Sequence, residues 1–540
     1  MSKKQTGFAV IIIILATLGA ESLPVFGLSA YKPVLKLRQE ANEYVLTWPR
    51  LHYPALYVVD VLNSPPPDSS HAAPKSIRIA RFWTLDNCLN VDCRFPFHTY
   101  WRVGAYGIFR HPVGTYSNAL EINAAQSAAN PNPGEMKPVP TSFYPLQAPA
   151  PEKPVLTWTS VPGAIYYELE FLKAPPENPN GIQPSAYRIG TPKKAFANGI
   201  NVDLSEYKVN RLFWRVRALD YDDNPLGVFS DAAEINIDRS LGRPLKPVIV
   251  SRYDDKDFPP PLYPVYSWIP IVGAVSYEVE LLRRPPENPN GTSPSQYRIW
   301  SKRVAGSDCY DDEPRNSAGV YYWRVRGLDA SGDPVGVFSD AVPFTVRPEL
   351  GRYAATFGDS ITHGGGAISY SPANWEYSYQ SYLNFPVLNL GRSGDTSETM
   401  VERFDRDVLP FRPKYLIIMG GINSIREGVP AEKVIEDLSA IRKKCVANNI
   451  RPIFLTLPPI NPAAIYRVFG EETVPDWQRQ LEAVNSFIRQ QRYYIDLYPY
   501  FTDSNGELPA RLAVDGLHFD IAGKKLMAQI INAGWEIVTR

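Results

Sequence analysis

Tyr353-Ala354-Ala355-Thr356-Phe357-Gly358-Asp359-Ser360-Ile361-Thr362 is the stretch that decides the fold of the C-terminal third. An apolar, strand-like run, Tyr353–Phe357, ends in Gly358-Asp359-Ser360, so Ser360 falls just past a strand end. Further strand-like runs follow at Val387–Leu390, Tyr415–Met419, Ile453–Leu457 and Tyr494–Leu497. Segments of helical period lie between and after them, at Glu398–Val408, Ala431–Ala447, Trp477–Gln491 and Ile521–Val538. Strands alternating with helices predict a parallel, three-layer α/β domain over 350–540, with its chemistry at the carboxyl ends of the strands.

Upstream of residue 350 the texture is different. PPENPNG at Pro175–Gly181 returns at Pro285–Gly291, an offset of 110. WRVRALD from Trp214 returns as WRVRGLD from Trp323, and GVFSDA from Gly227 returns from Gly336, both offset by 109. A fainter copy lies earlier, with Trp48, Tyr100-Trp101-Arg102-Val103 and GTYSNA from Gly114. The paired tryptophans stand 53, 56 and 55 residues apart in the three copies. Runs such as Tyr166–Phe171 and Tyr277–Leu281 alternate polar and apolar letters between Pro, Gly and Asn, as half-buried antiparallel strands do. Each copy therefore predicts a two-sheet sandwich. The copies resemble fibronectin type III modules, through the spacing of Trp158, Ala164 and Tyr167 and of Trp268, Ala274 and Tyr277. The tryptophans are expected in the sandwich cores, and PPENPNG as a surface loop. The expected division is 1–30 export signal or anchor, 31–125 first module, 126–153 linker, 154–240 second module, 241–348 third module and 350–540 α/β domain. Eight prolines over 131–154 predict a semi-rigid extended spacer, and the sandwiches themselves are expected to be spacers or weak binding modules.

The 540 residues hold 56 Lys+Arg against 56 Asp+Glu, so no net field draws the chain to nucleic acid or to an anionic membrane. With 44% apolar residues it is not a largely disordered chain. Lys3 and Lys4 precede an apolar run from Gly7 to Ala20, the layout of an export signal, with Ala20 and Ala30 as cleavage points. The expected location is extracytoplasmic, with any membrane attachment through an uncleaved N-terminal segment. No cysteine follows the run, so no lipid-modified terminus is expected. Cys88 and Cys93 are close enough to bridge a small loop, whereas Cys309 and Cys445 read as buried small hydrophobes. Neither the cysteines nor the six histidines have metal-ligand spacing, and no metal or other cofactor is expected.

A serine hydroxyl needs a base and oxyanion donors to act as a nucleophile. Asp515 and His518, in Val514-Asp515-Gly516-Leu517-His518-Phe519-Asp520, have the spacing that lets a carboxylate orient an imidazole. The bland readings are that Asp359 or Ser360 caps a helix, and that Asp520 caps the last helix with His518 on the surface. His363 competes as base, without an evident orienting carboxylate. Gly394, after the second strand, offers a backbone N–H, and Asn423, after the third, a side-chain amide. Each alone is ordinary turn chemistry. Together, in this order, the four blocks resemble the SGNH (GDSL-type) hydrolases over residues 351–540.

That resemblance implies a flavodoxin-like three-layer fold with a five-stranded parallel sheet. It implies Ser360 as nucleophile, His518 as base and Asp515 as its orienter, with the N–H groups of Ser360 and Gly394 and Asn423 Nδ2 as the oxyanion hole. The family often has Asp where this chain has Ser424, which lessens the expected support of the third-strand loop. The expected activity is exported serine ester hydrolysis on an acylated glycan or a small ester. Alternatives are an O-acyltransferase, a lipase- or lysophospholipase-type acylhydrolase, and a non-catalytic adhesion or scaffold protein. No oligomeric state follows from the sequence.

Overall fold

The computed structural model describes residues 32–540 except 41–42, 50, 52–55, 63–64, 67–76, 85–86, 92–97, 107–111, 124–135, 162, 252, 254–258 and 367–371. The expected export signal and Cys93 lie outside the described residues. The chain divides into two compact units, Met1–Cys93 with Phe97–Ala125, and Arg94–Pro96 with Gln126–Arg540.

The first unit has two antiparallel sheets. One holds Lys36–Glu40, Glu43–Thr47 and Cys88–Val91. The other holds Arg78–Thr84, Leu56–Leu62, His98–Tyr106 and Pro112–Val113, with Leu120–Asn123 paired to His98–Tyr106. Trp48 and Trp101 are buried, and the Tyr57 hydroxyl accepts from Leu51 N at 2.8 Å.

The second unit contains two further β units and the α/β domain. In the first of these β units, Tyr166–Leu172 pairs with Arg188–Ala195 on one side and Arg211–Leu219 on the other; in the next, Ser276–Leu282 pairs with Arg298–Val304 and Gly319–Leu328. Two-residue alternation sends one face inward, and Trp158, Trp214, Trp268 and Trp323 are all buried there. The tyrosine of each repeat closes the turn before its own strand: Tyr167 Oη accepts from Val161 N (2.8 Å), Tyr277 Oη from Ile271 N (2.9 Å). The repeated PPENPNG loop is built from inside. Buried Arg215 donates to Glu170 Oε1 (2.7 Å) and to Asn178 O and Oδ1 (both 2.9 Å), and Arg324 repeats the set on Glu280 and Asn288. A buried guanidinium must be paired and fully bonded, which explains why loop and WRVR strand recur together. Part of the stretch expected as a spacer is bonded to the β unit that follows it: Thr141 N donates to Thr157 O (2.8 Å) and Ala150 N to Asn236 O (2.7 Å).

The α/β domain carries β1 (Ala354–Gly358), β2 (Leu388–Asn389), β3 (Tyr415–Met419), β4 (Arg451–Leu455) and β5 (Tyr494–Ile495). All pairs are parallel and the spatial order is β2-β1-β3-β4-β5. Helices α1 (Ser397–Asp407), α2 (Ala431–Ala447), α3 (Pro462–Phe469), α4 (Trp477–Arg489) and α5 (Ile521–Thr539) alternate with or follow the strands. Strands β1 and β3 are buried throughout, as a sheet covered on both faces requires. Gly358 closes β1 because a Cβ there would meet Met419 O at 1.9 Å. The strand order reverses between β1 and β3, so the crevice opens at their carboxyl ends, beyond Gly358 and Met419.

Candidate active site

Ser360 begins a single helical turn, Ser360–His363, directly after β1. Asp359 caps that turn, its Oδ1 accepting from Ile361 N at 3.1 Å. Ser360 therefore is free of capping duty. Its Oγ lies 2.9 Å from His518 Nε2. On the other side of the ring, His518 Nδ1 is 2.9 Å from Asp515 Oδ2. A carboxylate only accepts, so Nδ1 carries the proton and Nε2 is left to accept from the serine hydroxyl.

The turn before α5 explains the Asp515 geometry. Its Oδ1 accepts from the backbone N–H groups of Leu517 (2.8 Å) and His518 (2.7 Å), folding the carboxylate back onto its own turn. Burial pushes the Asp515 carboxyl up, but the facing His518 and the two N–H groups outweigh it and hold it below its ordinary value. Asp520 sits at the N-cap of α5 without a side-chain cap bond, and its Oδ2 accepts from Val514 N (3.1 Å).

Gly394 has φ +83°, a backbone conformation that any side chain would strain. It is exposed and lies ahead of α1, whose N-cap Thr396 forms a reciprocal capping box with Thr399. Asn423 follows β3 and donates one amide N–H to Asp395 O at 2.9 Å, leaving its second N–H for a ligand. Ser424, where the chain departs from the resembled pattern, accepts from Ser397 N (2.9 Å), while Ser397 Oγ donates to Asp437 Oδ2 (2.7 Å). The carboxylate that braces this loop thus comes from α2. Ser360, Gly394, Asn423, Asp515 and His518 all line one cleft of about 1290 Å³.

His363 is no rival to His518. Its Nε2–H donates to Tyr263 O (2.7 Å) in the third β unit, so Nδ1 accepts from Ser393 N (3.2 Å) and Ser393 Oγ (2.9 Å). Both ring nitrogens are occupied away from Ser360. Burial holds this imidazole down at about 4, in its neutral form.

Three supporting residues escaped the sequence reading. Arg403, buried in α1, donates to Gly358 O (3.0 Å), Leu390 O (2.8 Å) and Asp407 Oδ2 (3.1 Å), and is ion-paired to Asp395. It thereby ties the ends of β1 and β2 to the loop carrying Gly394. Lys524, buried in α5, donates to Ile361 O at 3.0 Å and anchors the turn that starts with Ser360. Burial holds its ammonium down to about 7 against the pull of Asp515, Asp359 and Asp520. Tyr263 donates through its hydroxyl to Asp407 Oδ2 (2.7 Å). The signal for Arg403 was a charged pair, Arg403 and Asp407, one turn apart on the face of Met400 and Phe404. Among the described residues, no three His, Cys, Asp or Glu side chains are grouped to hold a metal ion.

Residues 356–526 match the GDSL-like Lipase/Acylhydrolase family, and this segment is a GDSL-like lipase/acylhydrolase domain. The uncharacterized lipoprotein YqeF of Bacillus subtilis (strain 168) is 33% identical over 123 residues, 19% of this chain and 47% of that protein. The chain thus spans about half the length of this curated relative. Among solved structures, a lipase/acylhydrolase from Enterococcus faecalis is 25% identical, with TM-score 0.29, over 35% of this chain and 96% of its own. The acetylxylan esterase Axe2 of Geobacillus stearothermophilus, solved as a catalytic mutant, is 20% identical, with TM-score 0.27, over 34% and 94%.

Proposed function

We propose that the protein is an exported serine esterase that removes acyl groups from a glycan. The observation that carries this reading is the continuous line from Ser360 Oγ through the His518 ring to Asp515, with both contacts to the ring at 2.9 Å. In the proposed reaction, Ser360 Oγ attacks the acyl carbonyl as His518 Nε2 takes its proton. The oxyanion is met by the N–H groups of Ser360 and Gly394 and by the second Asn423 N–H. His518 then returns the proton to the departing alcohol, and water, activated by the same ring, releases the acid and restores Ser360.

Export is supported by the basic, apolar N-terminal pattern, and the relative's being a lipoprotein agrees with a surface location. Among the described residues no helix is long and apolar enough to cross a membrane. The β units we read as fibronectin type III-like, on the Trp, Ala and Tyr spacing and the tyrosine-closed turn they share. The decisive test is fluorophosphonate labelling with hydrolysis of p-nitrophenyl acetate. The wild type is expected to be labelled at Ser360 and to turn over the ester. Ser360→Ala is expected to lose both while remaining folded, and a folded Ser360→Ala variant at the wild-type rate defeats the assignment.

A further inference from the structure

The cleft above Ser360 is not made by the α/β domain alone. Thr157, Ser160, Phe196 and Asn198 of the second β unit line it, as do Ser307 and Asp308 of the third. We propose that these two β units form the wall that binds the acyl carrier, and that the carrier is an uncharged, hydroxyl-rich oligosaccharide several sugars long; this rests on the esterase reading above.

Size is the first argument. A cleft of about 1290 Å³ exceeds the ~300–1,000 Å³ of ordinary small-molecule sites, so a simple ester leaves most of it empty. Chemistry is the second. The wall offers hydroxyl and amide groups from Thr157, Ser160, Asn198 and Ser307, which exchange hydrogen bonds with alcohols. Phe196 is 55% exposed and keeps its ring edge-on to Tyr166, with centroids 4.8 Å apart, presenting an apolar face of the size a sugar ring covers. On the opposite side Phe469, 42% exposed, stands edge-on to the His518 ring at 6.2 Å. Charge is the third argument. The lining carries Asp308, Glu376, Glu427 and Glu471 against Arg426, which is itself paired to Glu471 at 2.7 Å. An acidic cleft repels phosphate-bearing or uronic-acid chains.

The wall is also held in register with the nucleophile, as a specificity surface must be. In the third β unit, Leu262 N donates to Asn389 O (2.8 Å), and Tyr263 O accepts from His363. In the second, Tyr221 Oη donates to Arg467 O (3.1 Å), and Asp222 pairs with Arg467 at 2.9 Å. Of the two expectations for the sandwiches, spacers or weak binding modules, we take the second for these two units.

The test compares kcat/KM of the full chain on p-nitrophenyl acetate and on acetylated neutral oligosaccharides of one to six sugars, with Phe196→Ala and Asn198→Ala as variants. The wild type is expected to gain at least tenfold per mole of ester between one and four sugars. Each variant is expected to lose at least tenfold of the long-to-short ratio, and replacing neutral sugars by uronic acids to lower the wild-type rate. A wild type that hydrolyses p-nitrophenyl acetate but shows no gain with length, or variants that keep its ratio, overturns the wall while leaving the esterase reading intact. A wild type inert to every ester removes the esterase reading and the wall with it.

Discussion

Asp515→Asn separates orientation of the imidazole from mere occupancy of the site. The carboxylate accepts three bonds, two on Oδ1 from Leu517 N (2.8 Å) and His518 N (2.7 Å) and one on Oδ2 from His518 Nδ1 (2.9 Å). A carboxamide has one accepting oxygen and one donating nitrogen, so it cannot serve both sides. With its oxygen on the two backbone donors it keeps those bonds and turns its NH2 toward Nδ1. The reverse setting leaves two N–H groups facing an NH2, at about 1–3 kcal/mol for each unsatisfied group. The first setting therefore prevails, and Nδ1 must accept. The ring proton moves to Nε2, 2.9 Å from Ser360 Oγ, where it blocks removal of the serine proton. The expected loss in kcat is about ten-thousandfold, the size known for the same replacement in a Ser-His-Asp triad, or about 5 kcal/mol in the barrier. Initial rates on p-nitrophenyl acetate measure it, with circular dichroism to establish the fold. The fluorophosphonate labelling rate should fall in parallel, since it reads the same nucleophile. A folded Asp515→Asn variant within tenfold of wild-type kcat refutes this reasoning.

Asn423→Ala removes an amide donor while leaving the binding cleft in place, so kcat should fall about a hundred- to a thousandfold with KM little changed, as steady-state kinetics will read. His363 is neutral in the folded chain, with its value held at about 4 against an ordinary 6.5. As pH falls the unfolded chain takes up that proton first, so the stabilisation is full above 6.5 and is lost on the way down to about 4. The loss is on the order of 3 kcal/mol. Urea unfolding at pH 7 and pH 4 should show that decrement in the wild type and a smaller one in His363→Asn. Arg403→Met takes the ion-pair partner from buried Asp395, at about 3–5 kcal/mol, while Asp407 keeps Arg406 and the Tyr263 hydroxyl, each at 2.7 Å; an unchanged melting temperature contradicts the bracing role given to Arg403.

Much of the architecture lay open in local pattern. The central strands β1 and β3 fall on their expected apolar runs, because burial on both faces of a sheet leaves a continuous apolar signature, and the last helix starts at Ile521 as its period predicts. Helix α3 went unread. Asn461-Pro462 looks like a turn, yet Asn461 caps the helix, its side chain accepting from Ala464 N at 2.9 Å with Pro462 in the first turn. The shortness of the edge strands β2 and β5, two residues each where four were expected, reflects pairing that only the neighbouring strand decides.

The candidate site divides along the same line. Ser360, Gly394, Asn423, Asp515 and His518 were legible because each stands at a strand end or helix start, where the backbone itself fixes what a side chain can reach. The geometry of Asp515 and His518 is settled within four residues of chain. Arg403, Lys524 and the ring roles of His363 were not legible, since a buried charge declares its purpose only through partners far away in sequence. The sequence by itself determined which groups the α/β domain presents at its strand ends. The tertiary structure alone decided that Phe196, Asn198 and Asp308, from two β units expected to be spacers or weak binding modules, line the same cleft as Ser360, because contacts such as His363 to Tyr263 O and Arg467 to Asp222 have no periodic trace in the chain.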